Sequence, residues 1–201
     1  MATELQGHLV WLDPIVLNPE QSGHATPKAL ASALRRELGA ALEAQGYERK
    51  DLERCVYVIR MIGDFSIAYP EDYSPVLYIG RGDASVRLGH HLRNWLTEVR
   101  TFGHEIRIEV RICRPRRRAR ADLFKHVEAR LIRDFQKANG AIPFFNSRRE
   151  SKFESGARFT KTDERRFRAA IGLGKRTPPK WAIQPTPANP AYNVYYKGHA
   201  T

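Results

Sequence analysis

Three consecutive segments decide the fold: CVYVIRM (55–61), SPVLYIGRG (74–82) and ASVRLGHHLRNWL (84–96). The first two read as strands and the third as a helix. On a strand, successive side chains point to opposite faces. Val56 and Val58 therefore share one face, as Leu77 and Ile79 do on the second strand, and these aliphatics are the expected core-facing set. Tyr57 and Tyr78 then point the other way. If the strands pair as neighbours, both phenols rise from one polar side of a small sheet, where the following helix can hang over them. In that helix Leu88, Leu92, Trp95, Leu96 and Val99 recur at helical spacing and form the expected buried stripe. Arg87 and His91, four apart, share its flank. A guanidinium, an imidazole and two phenols around one hollow suit a phosphate, because each can donate a hydrogen bond or bring positive charge.

Downstream, HEIRIEVRIC (104–113) alternates Ile106, Ile108, Val110 and Ile112 against Glu105, Arg107, Glu109 and Arg111. This is the pattern of a third strand with one buried and one wet face. RPRRRAR (114–120) follows, and crowding cations before a helix opposes the macrodipole, a cost that a bound phosphate would relieve. The helix expected from about Ala121 to Ala138 ends at Gly140, with Phe124, Val127, Leu131 and Phe135 inward. Glu128 falls inside that stripe, at roughly 100° per residue. A buried carboxylate is costly unless it is paired or holds a cation. From the residues alone, a cation site and a salt bridge to one of the arginines stand equal.

Val-Tyr in the first strand, Tyr-Ile-Gly ending the second, and Arg87-Leu88 with His91 four residues after the arginine together resemble the GIY-YIG nuclease family. So do Glu128 in HVEARLIRDF and the loop IPFFN, with Pro143, Phe145 and Asn146. The resemblance spans about Cys55 to Phe153. It departs from the family where Cys55-Val56 stands for Gly-Ile, and where a Gly80 to Arg87 spacing one residue short makes His90 a rival to His91. The resemblance implies an α+β fold, a small central antiparallel three-stranded sheet flanked by helices. It also implies a site of Tyr57, Tyr78, Arg87, His91, Glu128 and Asn146. In it Tyr57 acts as general base or orients the attacking water, and Arg87 stabilises the pentacoordinate phosphate. His91 orients Tyr57 or shuttles a proton, Tyr78 bonds water or phosphate, and Asn146 braces the site. The implied cofactor is one Mg²⁺, with Mn²⁺ as a substitute, held by Glu128, water and the substrate phosphate, since magnesium keeps much of its hydration.

The formal net charge is +12, and it is unevenly placed. Residues 1–50 hold five Lys/Arg against six Asp/Glu, leaving 29 against 16 in the remainder. A polyanion is the natural partner of that remainder. Expected nucleic-acid contacts are Arg81, Arg114, Arg116, Arg117, Arg118, Arg120, Arg148, Arg149 and Lys152. DNA is the expected substrate, with RNA and a homodimer left open, and a non-catalytic binding module is the alternative. Absence of a separate DNA-reading module favours a restriction, defence or effector role over homing, with DNA repair also left open. No apolar run of membrane-spanning length or secretory leader is visible, and two cysteines make no disulfide framework. A cytoplasmic, reduced protein is expected, with signal-independent export left open.

Three regions are expected: a 1–50 extension, a 51–155 core and a 156–201 extension. In the first, Thr26 caps a helix with Pro27 at its first position and Leu30, Leu34, Leu38 and Leu42 on one face, stopped by Gly46. In the last, Thr162 is the expected cap of a short basic helix ending at Gly172. The Pro/aromatic segment beyond it, with Trp181, Tyr192, Tyr195 and Tyr196, wraps the body, swaps onto a partner or stacks bases. Residues 62–75 read as a long acidic loop at the sheet's rim.

Overall fold

The structure, a computed structural model, describes residues 4–5, 9–19, 26–102, 106–116, 121–147, 153, 158–173, 178–184, 186–187 and 192. In chain order its elements are β1 (Glu4–Leu5), β2 (Leu9–Trp11), β3 (Ile15–Leu17), α1 (Pro27–Ala44), β4 (Cys55–Ile62), β5 (Phe65–Ala68), β6 (Tyr73–Ser74) and β7 (Val76–Gly82). Then come α2 (Ala84–Asn94), β8 (Arg107–Pro115), α3 (Leu123–Asn139), β9 (Arg158–Phe159), α4 (Lys161–Ala170) and β10 (Trp181–Ile183). Short 3₁₀ turns lie at Arg49–Leu52 and Leu96–Phe102.

The chain is α+β. Strand β4 runs antiparallel between β7 and β8, which are the three strands the alternation predicts. The sheet is nonetheless larger than three strands. β2 and β3 both pair antiparallel with β8, so the N-terminal segment supplies its outer border. A five-stranded sheet in the order β2-β8-β4-β7 results, with β3 beside β2's continuation on β8.

Register sets the site. Tyr57 lies opposite Gly80 and Ile59 opposite Tyr78, so the two phenols share one face on a diagonal. That face is not a polar one. Tyr57 is fully buried, as are Ile59, Ile108, Val110 and Ile112, because both sides of the sheet are covered. The wet face expected for the third strand is likewise covered at Glu109, which is 7% exposed and paired with Arg60 and Arg111. Arg60 also donates to the Ala169 carbonyl at the end of α4, at 3.2 Å, so that helix lies against this side.

Helix α1 begins as its sequence predicts: the Thr26 hydroxyl accepts from the Ala29 amide, and Leu30, Leu34, Leu38 and Leu42 are buried. Burying such leucines contributes about 1.5–3 kcal/mol each, so α1 belongs to the core. Helix α2 ends at Asn94, and Leu96 and Val99 are buried from the 3₁₀ turn that follows. In α4 the cap is Thr160, not Thr162: its hydroxyl accepts from the Asp163 amide at 3.1 Å. The 62–75 connector is not a plain loop, since β5 and β6 pair within it. β10 adds parallel to β5, with Trp181 stacked on Phe65 and Lys180 paired to Asp64, so this part of the C-terminal segment wraps the body. Tyr195 and Tyr196 lie outside the described residues. Cys55 and Cys113 are buried free thiols, and burial pushes Cys55 up to about 12. Among the described residues no helix is long and apolar enough to cross a membrane.

Candidate active site

A cavity of about 460 Å³ opens beside β7, lined by Tyr78, Arg81, Arg87, His91, Glu128 and Asn146, among others. Each arrives by a separate local rule. Tyr78 comes from the middle of β7, on the face of Tyr57, and Arg81 from near its end, in register with Val56. Asp83 caps α2 by accepting from the Val86 amide, and the helix then sets Arg87 and His91 one turn apart toward the phenols. Glu128 comes from the middle of α3 and is 7% exposed.

Asn146 reaches in from the loop after α3. Its side chain accepts from the Ile79 amide at 3.0 Å and donates to the Ile79 carbonyl at 2.7 Å. Next to it, the Phe145 amide donates to the Leu77 carbonyl. Together these bonds satisfy outward backbone groups of Leu77 and Ile79 on β7, which has no further strand beyond it among the described residues.

Gly80 explains why a glycine ends the second strand. A β-carbon there would stand 2.4 Å from a ring carbon of Tyr78 and 2.6 Å from the Tyr57 hydroxyl. Only hydrogen fits beneath the paired phenols, whose ring centres are 6.0 Å apart.

The hydrogen bonds fix proton positions. The Trp95 indole N–H donates to His91 Nδ1 at 3.0 Å, and an indole can only donate. Nδ1 is thus unprotonated. Burial, with Arg87 nearby, lowers the pKa of His91 to about 4, so at neutral pH its single proton sits on Nε2. That nitrogen is 3.0 Å from the Tyr57 hydroxyl, and so His91 donates to the phenol oxygen. Burial raises both phenols, while the Arg87 charge opposes the rise. For Arg87 burial acts downward, but the two phenols beside it raise its pKa overall.

Five of the six expected site residues line the cavity, with Tyr57 directly behind it. Both histidines line it as well, His91 bonding Tyr57 and the exposed His90 bonding Asn94. One placement differs from expectation. Tyr57 does not line the cavity and has no exposed surface, so the phenol that faces the cavity is Tyr78. Trp95 escaped the sequence reading as a site residue because its spacing put it in the buried stripe. Its position four residues after His91 is the signal that would have found it.

The expected nucleic-acid contacts divide. Arg116 is exposed at the end of β8. Arg114 is turned inward, bonded to Asp51 at 2.6 Å and laid over the Tyr47 ring. Arg81 meets Glu128, its Nη1 2.7 Å from Oε2. Arg117, Arg118, Arg120, Arg148, Arg149 and Lys152 lie outside the described residues.

As a cation ligand Glu128 fits in kind. It is one hard carboxylate donor lining a hollow of about 460 Å³, which suits an ion that keeps several waters. Among the described residues no group of three His, Cys, Asp or Glu is placed to hold a metal. No protein-family model, no curated protein and no solved structure matches this chain.

Proposed function

We propose that this chain is a Mg²⁺-dependent DNA endonuclease of GIY-YIG type, with Tyr57, Tyr78, Arg87, His91, Glu128 and Asn146 as its site. The observation that carries the reading is one cavity holding a carboxylate, a guanidinium, a phenol and a neutral imidazole, with a second phenol hydrogen-bonded directly behind. Those groups answer the needs of phosphodiester hydrolysis: a water to activate, negative charge to offset on the phosphate oxygens, and a leaving 3′-oxygen to assist.

In this arrangement the scissile phosphate enters the cavity and Arg87, exposed at its mouth, takes a non-bridging oxygen. Tyr78 presents its hydroxyl to the attacking water. Tyr57 stacks against Tyr78 and is itself held by the His91 Nε2–H, so charge developing on the phenol pair is met by His91 and Arg87. Glu128 would hold the Mg²⁺, which when bound supplies Lewis-acid stabilisation of the phosphate and the departing oxygen. DNA is the proposed polyanion because the positive charge lies in the part of the chain that carries the site.

A second reading, a non-catalytic nucleic-acid-binding module, is favoured by one observation: Arg81 already neutralises Glu128. Supercoiled plasmid incubated with Mg²⁺ or EDTA separates the two, with Glu128→Gln alongside and single- and double-stranded RNA as competing substrates. Metal-dependent nicking by the unaltered protein and none by the variant is the expected result. Equal nicking by both removes Glu128 from the reaction, and tight DNA binding without cleavage under Mg²⁺ or Mn²⁺ establishes the binding module.

A further inference from the structure

Arg81 occupies a position that the proposed chemistry does not account for. It follows Gly80 on β7, lines the same cavity as Glu128, and places Nη1 2.7 Å from Glu128 Oε2. Its side chain is the more exposed member of the pair, at 22% against 9%. On its other side its guanidinium carbon lies 5.4 Å from the Phe153 ring centre. That ring also receives Lys125, and the Phe153 carbonyl lies 2.9 Å from His126 Nδ1, which ties it to α3. Arg81 is thereby held between a carboxylate and an aromatic face, two environments that a guanidinium accepts.

We propose that Arg81 is an exchangeable counter-cation, a gate that keeps Glu128 neutralised until a divalent ion and a substrate phosphate arrive together. This rests on the proposed metal role of Glu128. A buried carboxylate needs a compensating charge at all times, and Arg81 provides it before the metal does. A divalent ion approaching Oε2 meets repulsion from the guanidinium already there, so metal alone binds weakly. A phosphate entering the cavity offers the guanidinium a second anion, which it can bind in bidentate fashion. Arg81 then leaves Glu128 for the phosphate, remains over Phe153, and its positive charge no longer stands at Oε2 against the ion. Metal and substrate bind cooperatively as a result, and the resting protein does not carry a loaded centre.

Mn²⁺ titration without nucleic acid, followed by electron paramagnetic resonance of the free ion, reads the gate without any turnover. Removing one positive charge beside the ligand in Arg81→Gln is expected to tighten Mn²⁺ binding by about tenfold, an advantage absent when Glu128→Gln is added to the same chain. Unchanged or weaker Mn²⁺ binding in Arg81→Gln, with Glu128→Gln still abolishing it, overturns the gate and leaves the metal site standing. Equal Mn²⁺ binding by Arg81→Gln and by the Arg81→Gln/Glu128→Gln double variant overturns the metal reading itself, and the gate with it. Arginine side-chain ¹⁵N spectra of the unaltered protein give a second test that does not depend on the Gln variant folding. The guanidinium signal missing from Arg81→Lys is expected to move on adding Mg²⁺ with thymidine 3′,5′-bisphosphate, and a signal that stays fixed overturns the proposal.

Discussion

Glu109 and Glu128 are equally buried, each 7% exposed, and each is paired with arginine, yet they sit in very different company. Glu109 is gripped through both oxygens by Arg111, at 2.8 and 3.1 Å, and met again by Arg60 at 3.3 Å. Its neighbouring cavity includes Met61, Phe65, Pro75, Pro178 and Pro179, and no imidazole. Glu128 is met by Arg81 at Oε2 and opens on a hollow shared with a phenol, an imidazole and a second guanidinium. Burial of a carboxylate therefore carries no message about chemistry by itself. What distinguishes the two is the convergence of groups from β7, α2, α3 and the loop at 142–146 around one of them.

Four substitutions or titrations, with the Arg81 gate as a fifth, sharpen or break that contrast. Glu128→Gln should lower plasmid nicking by about a thousandfold, roughly 4 kcal/mol of barrier, while its melting temperature stays within a few degrees of the unaltered protein. Glu109→Ala should do the reverse, costing about 3 kcal/mol in urea unfolding by stranding two arginines, with nicking preserved in the folded fraction. If both variants lose cleavage and neither loses stability, the contrast is wrong.

His91 supplies a test on pH. Its pKa is held at about 4 in the fold against 6.5 when unperturbed, so between those values the unfolded chain binds a proton that the folded chain refuses. Stability contributed by neutral His91 is therefore complete above pH 6.5 and is lost as pH falls toward 4, by about 3 kcal/mol at most. His91→Gln should flatten that part of a stability-against-pH curve, and an unaltered slope would show that the imidazole titrates freely. Gly80→Ala comes next, with about a hundredfold loss of nicking from displaced phenols and DNA affinity retained. The tenfold change in Mn²⁺ affinity for Arg81→Gln is the smallest effect and the most specific to the Glu128 side.

Much of this was legible in the sequence, and the gaps have physical causes. Alternation gave β4, β7 and β8 and the shared face of Tyr57 and Tyr78, and the Thr26-Pro27 cap placed α1. Alternation says which side a residue points to but not what covers that side. Tyr57 was for that reason expected on a polar surface and Glu109 in water, whereas both are buried. β2 and β3 are three residues each and β6 is two, too short to show a period, and the partner of β2 and β3, β8, is distant in sequence. Thr160 and Thr162 stand two residues apart with equal capping chemistry, and only the approach from β9 selects Thr160. At the site, the six residues carried by the resemblance come together, but the Arg81 to Glu128 bond was invisible, because any of several arginines could have served.

The Asn146 amide carries a consequence for how copies of this protein meet. By filling the amide and carbonyl of Ile79 with its own side chain, it occupies the place where a neighbouring chain would zip onto β7. Exposed strand borders invite fibre-like association, so this single residue closes the middle of the β7 border, beside the cavity, to an incoming strand, and among the described residues the opposite border of the five-stranded sheet is the one formed by β2 and β3.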